Sequence, residues 1–270
     1  MISFDIFGEG KTKCVTMSFD DGHIYDRQLV ELFNKYGIKG TFHLNSKQFG
    51  NKAMFTGRAR LPKDEVKELY KGHEISCHGT IHTTMTQMPV QNMALDVLED
   101  RRILEEICGY PVRGMSYPNG AYDKRTIEVL RSCGIEYCRT IKSDGSEFLP
   151  NDFLEWHPTC HYSKALDVAK RLANNPRYGR MLYIWGHGFE IAEGKYDWEY
   201  VEELCKTLAS NKEEIWFATN IEIVDFVNAQ RSLKISVDNQ TVYNPSAVDV
   251  WVRADGKPLC IKAGETIKLN

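Results

Sequence analysis

The sequence predicts an α/β protein: an incomplete (β/α) barrel of about seven strands, followed by a small antiparallel β appendage. Three observations predict it. Strand-like and helix-like runs alternate about seven times across residues 13–229, the pattern of a parallel sheet with helices outside. Asp20-Asp21, His78, His82, Tyr117 to Gly120 and His187 all fall at or just past predicted strand ends, the end on which such barrels carry their sites. After residue 230 short β-like pieces alternate with turn signals such as Asp238-Asn239 and Asp255-Gly256. The expected division is therefore 1–229 for the barrel and 230–270 for a β unit packed on it, too small to be stable alone.

The elements follow in order. Residues 1–12 read as a lead-in with an edge strand. Cys14 to Phe19 is an apolar, β-prone run that delivers Asp20 and Asp21 to its C-terminal end, where Gly22 permits a bend. Leu29, Val30, Leu32, Phe33 and Tyr36 recur at helical spacing, and Gly37 stops that helix. Strands are predicted at 40–45, 74–77, 115–117, 135–139, 180–185 and 215–218. Helices are predicted at 62–70, 90–108, 124–132, 164–173, 198–210 and 221–229, the second with Leu95 and Leu98 among its apolar positions. The polar stretch 142–163 reads as a loop.

Composition sets limits. The 270 residues are 42% hydrophobic and 26% charged, ordinary for a globular protein. A net charge of −3 gives no electrostatic case for nucleic acid or an anionic membrane. No apolar run reaches the ~20 residues of a membrane span. Met1 to Asp5 shows no basic region leading into an apolar stretch, so a cytoplasmic location is expected, an extracellular one if a leader has been removed. Eight scattered cysteines without a CxxC pair read as buried free thiols in a reducing compartment.

Two adjacent acids near a core need a positive partner. Asp21, His78 and His82 supply one oxygen and two imidazole nitrogens, a set that suits zinc, with cobalt or nickel as alternatives, and leaves positions for water or substrate. His78 and His82 are four apart, one face of a helical turn. His157 and His161 repeat that spacing around Pro158, and are expected to be loop packing or rim residues rather than ligands.

Ser18-Phe19-Asp20-Asp21-Gly22 resembles the TFDDG signature of the polysaccharide deacetylases of carbohydrate esterase family 4, the NodB-homology group. His78-Gly79-Thr80-Ile81-His82 resembles its H-(S/T)-x-x-H motif, with Gly79 where Ser or Thr is usual, and Trp185-Gly186-His187 its last motif. The resemblance implies a distorted, incomplete barrel and metal-dependent removal of acetyl from N-acetylated sugars. By position it implies Asp20 as general base, Asp21, His78 and His82 as metal ligands, and His187 as general acid. The third motif departs from R-x-P-Y-G: in Met115-Ser116-Tyr117-Pro118-Asn119-Gly120, Ser116 stands in the arginine position. Asp152 to Trp156 is the place to look for the D-x-x-D-W motif.

Substrate contacts are expected from Tyr117, Pro118, Asn119 and Trp185, with Trp156, Phe189 and Trp198 as further aromatic candidates. A backbone N–H near Tyr117 is the expected oxyanion donor. His43 is expected to pack at a strand end, and Glu190 to pair with His187, meet substrate or stand as a solvated rim glutamate. Two alternatives stand beside the carbohydrate deacetylase: a deacetylase or deformylase of a small amide, and a non-catalytic carbohydrate-binding protein for which Ser116 is the main support.

Overall fold

The computed structural model describes residues 1–52 and 57–269. Its elements, in chain order, are β1 (Ile2–Ser3), β2 (Lys13–Asp20), α1 (Asp26–Tyr36), β3 (Gly40–Leu44), α2 (Lys63–Leu69), β4 (Glu74–Cys77), α3 (Val90–Cys108), β5 (Gly114–Ser116), α4 (Lys124–Ser132), β6 (Tyr137–Arg139), β7 (Cys160–His161), α5 (Ala165–Ala173), β8 (Arg180–His187), α6 (Gly188–Glu193), α7 (Trp198–Ala209), β9 (Ile215–Phe217), α8 (Asn220–Ser232), β10 (Lys234–Ile235), β11 (Thr241–Tyr243), β12 (Val250–Ala254), β13 (Lys257–Ile261) and β14 (Thr266–Lys268).

The barrel sheet is parallel, with strand order β6-β5-β4-β3-β2-β8-β7. β2 is the central stave. β8 pairs along its whole length, while β9 takes the first half of its other side and β3 the second. The predicted loop 142–163 departs from expectation here. Trp156 bridges to Arg139 of β6, and Cys160–His161 pairs with β8, so this stretch becomes an irregular stave between them. Its lack of alternation and its Pro158 hid it.

Strand alternation sorts the side chains into two environments. Val15, Met17 and Phe19 of β2 join the main core with Leu29, Val30 and Phe33 of α1 and Phe42 of β3. Of the alternate residues, Thr16, Ser18 and Asp20 of β2 and Thr41 and His43 of β3 are polar and buried, while Cys14 joins a smaller apolar cluster with Trp156 and Tyr183. Thr16 Oγ1 donates to Asn220 Oδ1 at 2.8 Å, Thr41 Oγ1 to Glu74 at 3.0 Å, and Tyr137 Oη to Glu74 at 2.7 Å. The barrel interior is thus a hydrogen-bonded stack, with Asp20, His43, Ser116 and Arg139 continuing it upward to the C-terminal rim.

α3 spans the predicted residues, but Leu95 and Leu98 are exposed: the buried stripe is Met93, Val97, Leu104 and Ile107. The second unit is not contiguous in the chain. β1 pairs with β12, and Asp5 binds Arg253, so the N-terminal strand lies beyond the 229/230 division. Val242, Val250, Val252 and Ile261 form this unit's core together with Ala229 of α8. Cysteines are free, and no described helix is long and apolar enough to cross a membrane.

Candidate metal and catalytic site

Asp20 ends β2 facing inward. Asp21 should then point away, but its backbone takes φ 85°, a conformation rare for a non-glycine residue. The bend begins at Asp21 itself, one residue before the glycine expected to supply it. Its N–H donates to His43 O at 2.8 Å and its carbonyl accepts from Arg60. Both carboxylates therefore serve one rim.

His78 and His82 reach the same place without a helix. Residues 78–84 form a loop in which Gly79 has φ 74° and His82 φ 66°, so the helical-turn expectation is corrected. Asp100 of α3 anchors this loop, accepting from His78 N–H and Ser46 N–H at 3.1 Å each; burial pushes its carboxyl up to about 7. Asp21 Oδ1 lies 4.0 Å from His78 Nε2 and 3.9 Å from His82 Nε2. These three donors share one small space, and Asp21 Oδ1, though buried, has no hydrogen-bond partner among the described residues. Arg60 approaches that oxygen at 3.1 Å. Behind the ring, His78 Nδ1 donates to Ser116 O at 2.9 Å, which leaves Nε2 its lone pair. Burial lowers His78 to about 4, keeping it in the neutral, ligating form.

Ser116 occupies the expected arginine position, and its hydroxyl lies 3.1 Å from Asp20 Oδ1 and 2.7 Å from His78 Nδ1. The arginine is supplied from the next strand. Arg139 of β6, in register with Ser116, binds Asp20 Oδ2 and is almost fully buried. Burial would raise the Asp20 carboxyl, but above all the charge of Arg139 holds it well below the usual carboxylate range. Sequence reasoning missed Arg139. The available signal was a charged residue ending an otherwise apolar strand, as Asp20 does.

His187 ends β8, with Nε2 4.0 Å from Asp20 Oδ2. Its Nδ1 donates to Glu190 at 2.9 Å, the first of the readings left open for that glutamate. His161 stands at the rim, 3.0 Å from the same glutamate oxygen, while His157 turns to Thr140.

The expected substrate residues divide. Tyr117 is buried, stacks on Tyr122 and donates its hydroxyl to Leu154 O, and its N–H already donates to Arg139 O; neither its ring nor its amide faces the cleft. Pro118 is buried too. Tyr117 lies one residue beyond Ser116, so alternation turns its ring outward. Trp185 does reach the site, edge-on to His187 and His161, with the Arg139 guanidinium 4.8 Å from its centroid. Asn119 and Phe189 line a cleft of about 800 Å³ with Asp21 and His82. Trp156 is core, Trp198 packs against core, and Asp152 pairs at the surface with Arg131, away from the site. His43 is fully buried, as expected of packing.

Residues 7–138 match the family model "Polysaccharide deacetylase". Over this segment the chain is similar to the polysaccharide deacetylase family. A chitin deacetylase of Arthroderma benhamiae is 32% identical over 95 residues, 34% of this chain and 24% of that protein. The chain thus spans about a quarter of that relative. Among solved structures, a Mycobacterium smegmatis protein assigned to the polysaccharide deacetylases aligns over 86% of this chain and 96% of its own, with TM-score 0.60 and 16% identity. A family 4 acetyl xylan esterase from Clostridium thermocellum, in complex with a cobalt ion, aligns over 80% and 92%, with TM-score 0.53 and 18% identity. At those identities the likeness is one of fold, the incomplete NodB-type barrel.

Proposed function

We propose that the chain is a metal-dependent hydrolase that removes the acetyl group from an N-acetylated sugar or polysaccharide. The observation that carries this is the convergence of Asp20, Asp21, His78, His82 and His187, from three separate segments, on one rim. The family match and the esterase that holds cobalt support it.

Asp21, His78 and His82 would hold a first-row ion, zinc in the first instance. The fit rests on Asp21 Oδ1, which is buried and accepts no hydrogen bond, and on His78, whose Nδ1 bond to Ser116 leaves Nε2 its lone pair. Such an ion supplies Lewis acidity toward an amide carbonyl and toward water. The chain's own groups do the rest. Asp20, kept ionised by Arg139 and aimed by Ser116, takes a proton from the attacking water. His187 Nε2 gives a proton to the leaving nitrogen as the C–N bond breaks. A C–O bond forms, acetate and a free amine leave, and exchange with solvent resets both groups. Trp185, Asn119 and Phe189 offer the sugar an aromatic and polar wall.

The non-catalytic alternative rested on Ser116 in place of arginine, and Arg139 on Asp20 removes that ground. Acetate release from N-acetylated chitooligosaccharides by zinc-loaded protein is the test. Asp20→Asn is expected to keep the metal and lower turnover by at least about a hundredfold. A near-normal rate in that variant would refute the base assignment. Metal bound with no turnover of any acetylated sugar would favour a binding protein, and turnover of small acetylated or formylated amides alone would favour the small-molecule alternative.

A further inference from the structure

Three N–H groups converge on a single oxygen of Glu190. His187 Nδ1 lies 2.9 Å from Oε2, the His187 backbone N 3.1 Å, and His161 Nε2 3.0 Å. His161 is in turn set by Ser163, whose hydroxyl is 2.9 Å from its Nδ1. A carboxylate oxygen only accepts, so each of the three nitrogens carries its hydrogen toward Glu190. That leaves His187 Nε2 as the nitrogen facing Asp20 and the cleft. The arrangement spans β7, β8 and the first turn of α6, and none of the three motifs contains Glu190 or His161.

We propose that Glu190, clamped by His161, is the positioning pair that keeps His187 protonated at Nε2 and aimed at the leaving nitrogen. This rests on the acid role given to His187 above. An acid on the leaving amine must hold a proton on Nε2 while Nδ1 is also protonated, so it must be an imidazolium. A carboxylate held by two further N–H groups stabilises that cation and cannot swing away. Charged and titratable groups face His187 from every side: Asp20 and Asp21 at the end of β2, Asp26 on α1, Glu190 on α6 and His161 on β7. Burial opposes the cation, but the Glu190 hydrogen bond and then the charge of Asp20 outweigh it, so His187 sits above its ordinary value. Burial also opposes Glu190 ionisation, and the bonds from His161 and His187 bring that carboxyl down to about 2. The same three side chains could also be read as a metal site. Their nitrogens already lie at hydrogen-bond distance from the glutamate, which speaks for a relay.

The experiment compares substrates whose leaving groups differ in their need for a proton. On zinc-loaded protein, Glu190→Gln is expected to slow acetate release from chitooligosaccharide about a hundredfold. Hydrolysis of p-nitrophenyl acetate, whose leaving group departs as a stable anion, should change by less than about threefold, with zinc content intact. The basic limb of the amide pH profile should move to lower pH. Imidazole nitrogen NMR should show His187 titrating lower in Glu190→Gln, a readout independent of turnover. His161→Ala should lower amide hydrolysis about tenfold, and His161→Gln, which keeps an N–H donor, should restore most of it. Equal loss on amide and ester, or an unmoved His187 titration, would overturn the proposal. So would a second zinc per chain that His161→Ala removes. If the deacetylase reading itself is wrong, wild-type protein releases no acetate, yet the NMR shift still reports whether Glu190 governs His187.

Discussion

Two groups of two histidines and one carboxylate meet at the barrel mouth, and they are built in opposite ways. In Asp21, His78 and His82 the facing atoms stand 3.9 to 4.0 Å apart, with no hydrogen bond between members. Their bonds run backward, from His78 to Ser116 and from Asp21 to Arg60 and His43. In His161, Glu190 and His187 the atoms lie 2.9 to 3.0 Å apart and bond to one another. Residue type and proximity alone treat the two alike. What separates them is where the hydrogen bonds run: backward from His78 and Asp21 in the first group, onto one carboxylate oxygen in the second, as the proposed cation site and the proposed relay require.

The sharpest way to break this contrast is to remove one histidine from each group. His78→Ala is expected to weaken zinc binding by more than about a hundredfold and abolish turnover, while His161→Ala leaves zinc stoichiometry unchanged by elemental analysis. If both lose metal, the distinction fails. Next in size is Arg139→Met, which strands the Asp20 carboxylate in a buried site. Urea unfolding should report a loss of about 3–5 kcal/mol, and the added Asp20→Asn change should recover part of it. Strict additivity would mean that the two side chains do not depend on each other.

Ser116→Ala tests the backing of the open group. It removes a hydroxyl shared by Asp20 and His78, and should weaken zinc about tenfold to a hundredfold at a stability cost of about 1–2 kcal/mol. The smallest effect concerns pH. Glu190 is shifted down from 4.5, so its contribution to stability is complete above that value and fades as pH falls toward about 2. His187 is shifted up from 6.5, so its contribution is complete below that value and fades as pH rises through its folded value. The melting difference between wild type and Glu190→Gln should therefore peak between pH 4.5 and 6.5, at about 2–4 °C. A difference independent of pH would place the origin in packing.

Much of this was legible in the chain. β2, α1 and α3 were marked by their apolar residues, and the end of α1 by the stop signal at Gly37. Asp20, Asp21, His78, His82 and His187 could be read because each ends a strand or follows one, and a parallel barrel gathers such ends at one rim. The stave at 156–161 was not legible, since it pairs with two distant strands and shows no alternation of its own. Nor was the burial of Tyr117, which follows from which way its neighbour Ser116 faces.

Local pattern was enough to place the alternation, the candidate donor residues and the order of the motifs, because those depend on spacing along one segment. Folding alone chose Arg139 as the partner of Asp20, His161 as the clamp on Glu190 and β1 as a strand of the C-terminal unit. Each of those pairings joins residues 29 to 252 positions apart in the chain. The energy that selects them comes from satisfying buried charge and backbone, which only the assembled sheet brings together.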